Sequence, residues 1–202
     1  MMDAQHIVRR RERGISLIVA LVMLIAVLML GISATHIALQ AEKSARNDRD
    51  RQIAFQAAEA ALIDAEMDIE QSPDAALSRS VLFSPNKTEG FAETCGSGVY
   101  LGLCLPAPDG TTPVWQTIDL ADDASSNARS VSYGNFTGQT FQSGNGSLPA
   151  KPPRYIIELM RYNKAGESAD QPSYFYRITA IGFGVRDATQ VVLQTFYRKE
   201  QK

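Results

Sequence analysis

ISLIVALVMLIAVLMLGISA, residues 15 to 34, is a run of about twenty almost wholly apolar residues, and it follows directly on the leader MMDAQHIVRRRERG. A run of about twenty such residues carries a helix across a hydrocarbon core of about 30 Å. Arg9, Arg10, Arg11 and Arg13 stand immediately before it. Basic residues keep their flank in the cytoplasm, so everything beyond about residue 36 is expected on the far side of the membrane. An ordinary secretory signal has a shorter apolar region, about 7 to 15 residues, and is cut after it in an A-x-A-like context. Here the residues that follow, GISATHIALQAEK, offer only poor small-residue pairs. Two readings remain. One is an uncut signal anchor of a single-pass membrane protein. The other is a signal cut on its cytoplasmic side between Gly14 and Ile15, where a glycine without a side chain enters a narrow peptidase cleft in extended conformation.

Working outward, THIALQAEKSARNDRDRQIAFQAAEAALIDAEMDIEQ (35–71) has no Pro and no Gly, and Ser72-Pro73 stops it. Its many helix formers predict that the helix continues unbroken to Gln71. Phe55, Ala58, Leu62, Ala65 and Ile69 recur at helical spacing and define the face expected to pack on a sheet. Glu59, Asp64, Glu66, Asp68 and Glu70 fall largely on the other sides. A helix from Ile15 to Gln71 is about 85 Å long, more than a head of ordinary size buries, so its lower half is expected to project into a bilayer or a fibre. Glu42 to Gln52, with Lys43, Arg46, Asp48, Arg49, Asp50 and Arg51, is expected to be solvated or groove-exposed. A coiled-coil stalk is the competing account of the seam, but the spacing holds for only about two heptads, short of the three or four such a stalk needs.

A basic leader ending in Gly before an apolar helix resembles a type IV prepilin with a class III signal. NDRDRQIAFQAAEAALIDAE (47–66) is similar to the segment shared by PilX-type minor pilins of type IV pilus systems, and YRITAIGFGVRDATQVVLQTFYR (176–198) resembles their C-terminal end. The resemblance implies a leader at 1–14, a transmembrane and assembly helix at 15–36, its amphipathic continuation at 37–71, and a globular head at 72–202. It also implies cutting by prepilin peptidase before Ile15 and N-methylation of Ile15. In type IV pilins the fifth mature residue is generally a glutamate, thought to be neutralised by the α-amino group of the preceding subunit. That position here is Val19. A subunit with nothing above it has no amine to neutralise, so Val19 marks a tip or initiating position, a feature shared with the K-type pseudopilin of type II secretion. The alternative is that Val19 merely tolerates a different register in the bundle.

In the head, RYIIELMRY (154–162), SYFYRITAIGFG (173–184) and TQVVLQTFYR (189–198) are rich in β-branched and aromatic residues and bounded by turn clusters, which predicts an antiparallel meander. Val185–Ala188 is short enough for a hairpin, and Asn163–Pro172 is a longer loop. VLF (81–83), VYLGLCL (99–105) and VWQTIDL (114–120) read as short strands or turns, and 121–153 as a long surface loop. The fold class is thus α+β and type IV pilin-like, a long N-terminal helix packed on a C-terminal antiparallel sheet. Cys95 and Cys104 both lie beyond the membrane segment, in an oxidising compartment, where a disulfide is their expected state.

An enzyme is disfavoured. The two histidines, His6 and His36, lie in the leader and at the membrane edge, so no Ser-His-Asp or Cys-His arrangement can form in the head, and no metal or cofactor site is expected. Asp122 and Asp123 read as solvated charges in a polar loop. GFG (182–184) suits a strand end or bulge rather than a nucleotide loop. The chain has 20 basic and 22 acidic residues; without the leader's four Arg and its Asp3 and Glu12, 16 and 20 remain, which leaves no strong electrostatic footprint for nucleic acid, with DNA uptake through a local basic patch still open. Tyr133, Phe136 and Phe141 either form a contact surface or anchor their loop to the core.

Together these features point to a minor pilin that helps to initiate pilus assembly at the tip. Its expected partners are other minor pilins, the major pilin, prepilin peptidase, the inner-membrane assembly platform and a tip adhesin. Its expected location is the inner membrane with the head in the periplasm, then the pilus at the cell surface. The alternatives are a K-type minor pseudopilin, for which the chain is short, and a signal-anchored periplasmic binding or adhesion domain.

Overall fold

The computed structural model describes residues 15–84, 87–123, 126, 128–162 and 173–199. The expected leader, with Gly14, and the loop 163–172 lie outside them. Helix α1 spans Ile15–Glu70. The chain divides into two compact units, residues 1–47 and 48–202, so the second half of the amphipathic stretch belongs to the head.

Within the head, α1 ends where Ser72 and Pro73 follow. Lys199 caps its last turn, its Nζ donating to the Ile69 carbonyl at 2.7 Å and to the Ser80 carbonyl at 3.0 Å. Carbonyls of the final helical turn lack an intrahelical donor, and a cation there also suits the helix dipole. The sheet contains β1 (Leu103–Cys104), β2 (Val131–Ser132), β3 (Arg154–Tyr162), β4 (Ser173–Phe183) and β5 (Gln190–Tyr197). Its order is β1-β3-β4-β5, with β2 also paired to β3. The strands β3, β4 and β5 form the expected antiparallel meander, in register Ile157↔Ile178 and Ala180↔Leu193. β1 runs parallel to β3, so the sheet is mixed rather than wholly antiparallel.

Both faces of β3 are buried, which its near-continuous apolar run reflects. One face presents Tyr155, Ile157 and Leu159 with Tyr176, Ile178 and Ala180 of β4 to Ala61, Ala65 and Ile69 of the helix. The opposite face presents Ile156, Ile181 and Phe183 to Cys95, Cys104, Val114 and Leu120. The segment between helix and meander therefore makes a third layer.

Within that segment two of the expected turns are present: residues 81–83 belong largely to a 3-10 turn at Ser80–Leu82, and 114–117 form a single helical turn, α2 (Val114–Thr117). One expectation needs correction. Residues 121–153 are not a surface loop throughout: Ser130, Val131, Phe136 and Thr137 are buried. The reason is local bonding. Arg154 donates to the Ser130 hydroxyl at 2.7 Å and carbonyl at 2.6 Å, while the Ser130 hydroxyl donates to the Leu120 carbonyl, which ties the segment to the start of β3.

Candidate assembly surfaces

In the first unit, α1 exposes large apolar side chains along its length, among them Ile15, Leu17, Val19, Met23, Val27 and Leu30. It is long and apolar enough to cross a membrane. The Ser33 and Thr35 hydroxyls donate to the Met29 and Gly31 carbonyls one turn earlier, so they are satisfied without water. The helix is described from Ile15 onward; the first described turn has no acidic residue, and Val19 is 49% exposed.

In the second unit the helix meets the sheet through small residues. Ala54, Ala57, Ala58, Ala61 and Ala65 are at most 2% exposed. Opposite them lies Gly182, where a Cβ would fall on the Ala54 carbonyl and the Ala58 amide, and Gly184, where it would fall on Asp50. GFG is thus the expected strand end, with β4 finishing at Phe183, and it is also the place where helix backbone touches strand backbone. Ala58, Ala65 and Ile69 are fully buried, Leu62 is half-buried, and Phe55 is 36% exposed. Phe55 does not belong to the seam, because at this spacing a ring has no room between helix and strand.

The seam includes three carboxylates. Asp50, Asp64 and Asp68 are all buried, which corrects the expectation that Asp64 and Asp68 point away and that Asp50 is solvated. Each is met by a different part of the head. Asp50 accepts from the Val185 amide at 2.6 Å, the Thr189 hydroxyl at 2.6 Å and the Arg186 guanidinium at 2.9 Å. Burial pushes its carboxyl up, but the bonds from Thr189, Arg186 and Val185 outweigh this and hold it below the usual value. Asp64 accepts from the Gly134 amide at 2.8 Å and from the Thr137 hydroxyl. Here burial prevails, with a smaller push from Asp68, and the carboxyl is raised.

Asp68 carries the densest set of bonds. Arg79 grips it through Nε at 2.9 Å and Nη2 at 2.6 Å, and the Tyr155 hydroxyl donates to it at 2.9 Å. The remaining Arg79 nitrogen donates to the Val99 and Leu101 carbonyls at 2.9 and 2.7 Å, and the guanidinium lies 3.6 Å from the Phe136 ring centroid. Val99 and Leu101 sit inside the loop closed by the Cys95–Cys104 disulfide. Gly96 turns that loop at φ 61°, and a Cβ there would fall on the Tyr100 carbonyl. One arginine therefore joins helix, disulfide loop and sheet. Helical periodicity could not have revealed it, although an arginine nine residues past the helix end beside buried-phase aspartates was a readable signal.

The aromatics of the polar loop divide. Phe136 is buried, whereas Tyr133 and Phe141 pack on each other at 5.2 Å and are half-buried. They anchor the loop rather than form a free surface. Asp123 stays exposed beside Lys151.

Two family models match the chain: the PilX N-terminal model over residues 13–62, and the model of the type IV pilus assembly protein PilX C-terminal region over residues 100–199. No curated protein and no solved structure matches it. The matches take in the apolar helix, most of the alanine seam, and the whole meander. A long N-terminal helix laid on an antiparallel-dominated sheet, with both of its ends matched in this way, places the chain in the PilX family of type IV pilus minor pilins.

Proposed function

We propose that the chain helps to initiate type IV pilus assembly as part of a tip or priming complex with other minor pilins. What supports this reading is Val19, the fifth residue counted from the expected cut between Gly14 and Ile15, within a helix of apolar residues. A carboxylate among apolar helices costs several kcal/mol unless it is paired. A subunit that docks beneath no other gains nothing from one. In this reading prepilin peptidase cuts between Gly14 and Ile15, Ile15 is N-methylated, and the new N-terminus enters the inner membrane with the head in the periplasm. The major pilin, the inner-membrane platform and a tip adhesin are its further partners. The family is structural, and the function rests on protein contacts rather than catalysis.

Val19→Glu tests the reading. Protonation relieves most of the charge, so the penalty is at most a few kcal/mol and insertion survives. The expected result is fewer pili, or labelled subunit moved from the tips into the shaft of sheared fibres. Normal pilus number with label still confined to tips refutes the idea that the absent charge specifies position.

A further inference from the structure

β5 ends the sheet, and among the described residues no strand pairs with its outer side. The other border is treated differently, since β1 and β2 both cover β3. Exposed edges are usually blunted by charge, Pro or brevity. β5 is QVVLQTFY, eight residues with neither charge, Pro nor Gly.

The phase of the ladder says which backbone groups are left open. Ile157 donates its amide to Gly102, away from β4. In an antiparallel ladder bonding direction alternates residue by residue. Carried through the registers Ile157↔Ile178 and Ile178↔Thr195, this turns Val191, Leu193 and Thr195 toward β4. Gln190, Val192, Gln194 and Phe196 therefore direct their N–H and C=O outward. The same four side chains lie on the sheet face opposite the helix and are exposed, Phe196 at 64%. Phe196 packs 5.8 Å from Phe175, and Phe175 lies 6.3 Å from Tyr162, so the open edge is backed by an aromatic ledge. Of the arginines beside this ledge, Arg177 is occupied by Glu158, whereas Arg198 lies over the Tyr162 ring with no carboxylate partner among the described residues.

We infer that β5 is a docking edge for an extended strand of a different pilus subunit, one with apolar residues at alternate positions beside Val192 and Phe196 and an acidic residue facing Arg198. Only an extended backbone matches a row of free amides and carbonyls at strand spacing. The acidic residue follows from Arg198, which is exposed and meets the Tyr162 ring but no carboxylate among the described residues. The inference rests on the chain's working through subunit contacts, but not on its position in the fibre.

The test uses full-length chain in cells that build pili, with Phe196→p-benzoylphenylalanine as the photoreactive probe. The expected product is a crosslink to an extended segment of another pilus subunit, mapped by mass spectrometry. Val192→Pro removes an amide that bonds nothing in the chain's own sheet, and Pro is tolerated at such positions. It should lower the crosslink by at least about tenfold, while Val192→Thr leaves it unchanged. Should Val192→Pro not fold, amide exchange at Val192, Gln194 and Phe196 takes its place, with exchange in piliated membranes slower by at least about tenfold than in the isolated chain. No product with another subunit, a product only with a second copy of this chain, a product indifferent to Val192→Pro, or unchanged exchange overturns the inference. A crosslink obtained while Val19→Glu leaves tip location unaltered keeps the docking edge and removes the tip reading; the reverse pattern does the opposite.

Discussion

Removing the Asp68 carboxylate should cost more stability than any truncation of comparable size in the seam. Arg79 is 4% exposed and Asp68 fully buried, and breaking a buried ion pair by deleting one partner costs about 3–5 kcal/mol, because the other charge is left without compensation. Arg79 keeps the Val99 and Leu101 carbonyls and the Phe136 ring, which places its share near the bottom of that range. The buried Tyr155 hydroxyl loses its acceptor as well, adding about 1 kcal/mol. Asp68→Ala is therefore expected to cost about 3–4 kcal/mol, a large part of the 5–15 kcal/mol typical of a domain. Asp68→Leu combined with Arg79→Met should cost much less than the sum of the single changes, since the pair is then replaced by apolar volume. The assay is urea unfolding of the full chain in detergent, followed by the emission of Trp115, the sole tryptophan, which packs against the opposite sheet face. A loss below about 1 kcal/mol for Asp68→Ala, or strict additivity in the cycle, refutes the reasoning.

Three further outcomes are expected from the same assay. Gly182→Ala drives a methyl into the Ala54 carbonyl and should cost about 1–3 kcal/mol; a neutral result would mean that helix and strand are not in backbone contact. The Tyr176 hydroxyl is buried without a hydrogen-bond partner among the described residues, and burial pushes its pKa up to about 12, so Tyr176→Phe should be neutral or stabilising by up to about 1 kcal/mol, and a clear loss would reveal a bond at that oxygen. The pH dependence should separate two aspartates. Asp50, held below the usual carboxyl value, gives stability that is present above about pH 4 and lost as pH falls through its folded pKa. Asp64, raised, gives stability present below about pH 4 and lost as pH rises through its folded pKa. Asp50→Asn should flatten the acid limb and Asp64→Asn the limb above it; unfolding midpoints that keep the wild-type slope in both variants contradict the assignment.

The apolar run and the meander were legible because each signal is long and repeats a single period, so local errors average out. Arg154–Tyr162 and Ser173–Phe183 appear within a residue of the expected bounds. The stretch between Ser72 and Pro153 was not, for a physical reason. Its short apolar groups are held by single tertiary contacts, such as Arg79 on the disulfide loop and Arg154 on Ser130, and no periodicity encodes a contact of that kind. β1 illustrates the point. Two residues become a strand because the Gly102 carbonyl meets the Ile157 amide at 2.8 Å and Ala92 bonds to Leu103 and Leu105.

The helix face was misjudged in a different way, by weighting residues for size. Phe55 and Leu62 draw an apolar reading about 80° around the helix from the observed centre, at about 100° per residue. A helix that approaches a strand as closely as Gly182 permits cannot place large side chains at its centre, so alanines take that position and the larger residues flank it. Such a seam has a weakness. Ala54, Ala58, Ala61 and Ala65 recur at spacings of three and four, so sliding the helix by one turn, about 5.4 Å, sets alanine largely on alanine and changes the apolar contact little. The carboxylates do not slide so cheaply. A one-turn shift moves one of Asp64 and Asp68, four residues apart, into the other's place, but it carries the remaining one and Asp50 away from their partners, and each buried charge left unpaired costs several kcal/mol. The small residues thus set how near the helix lies, and the three aspartates set where along the sheet it stops.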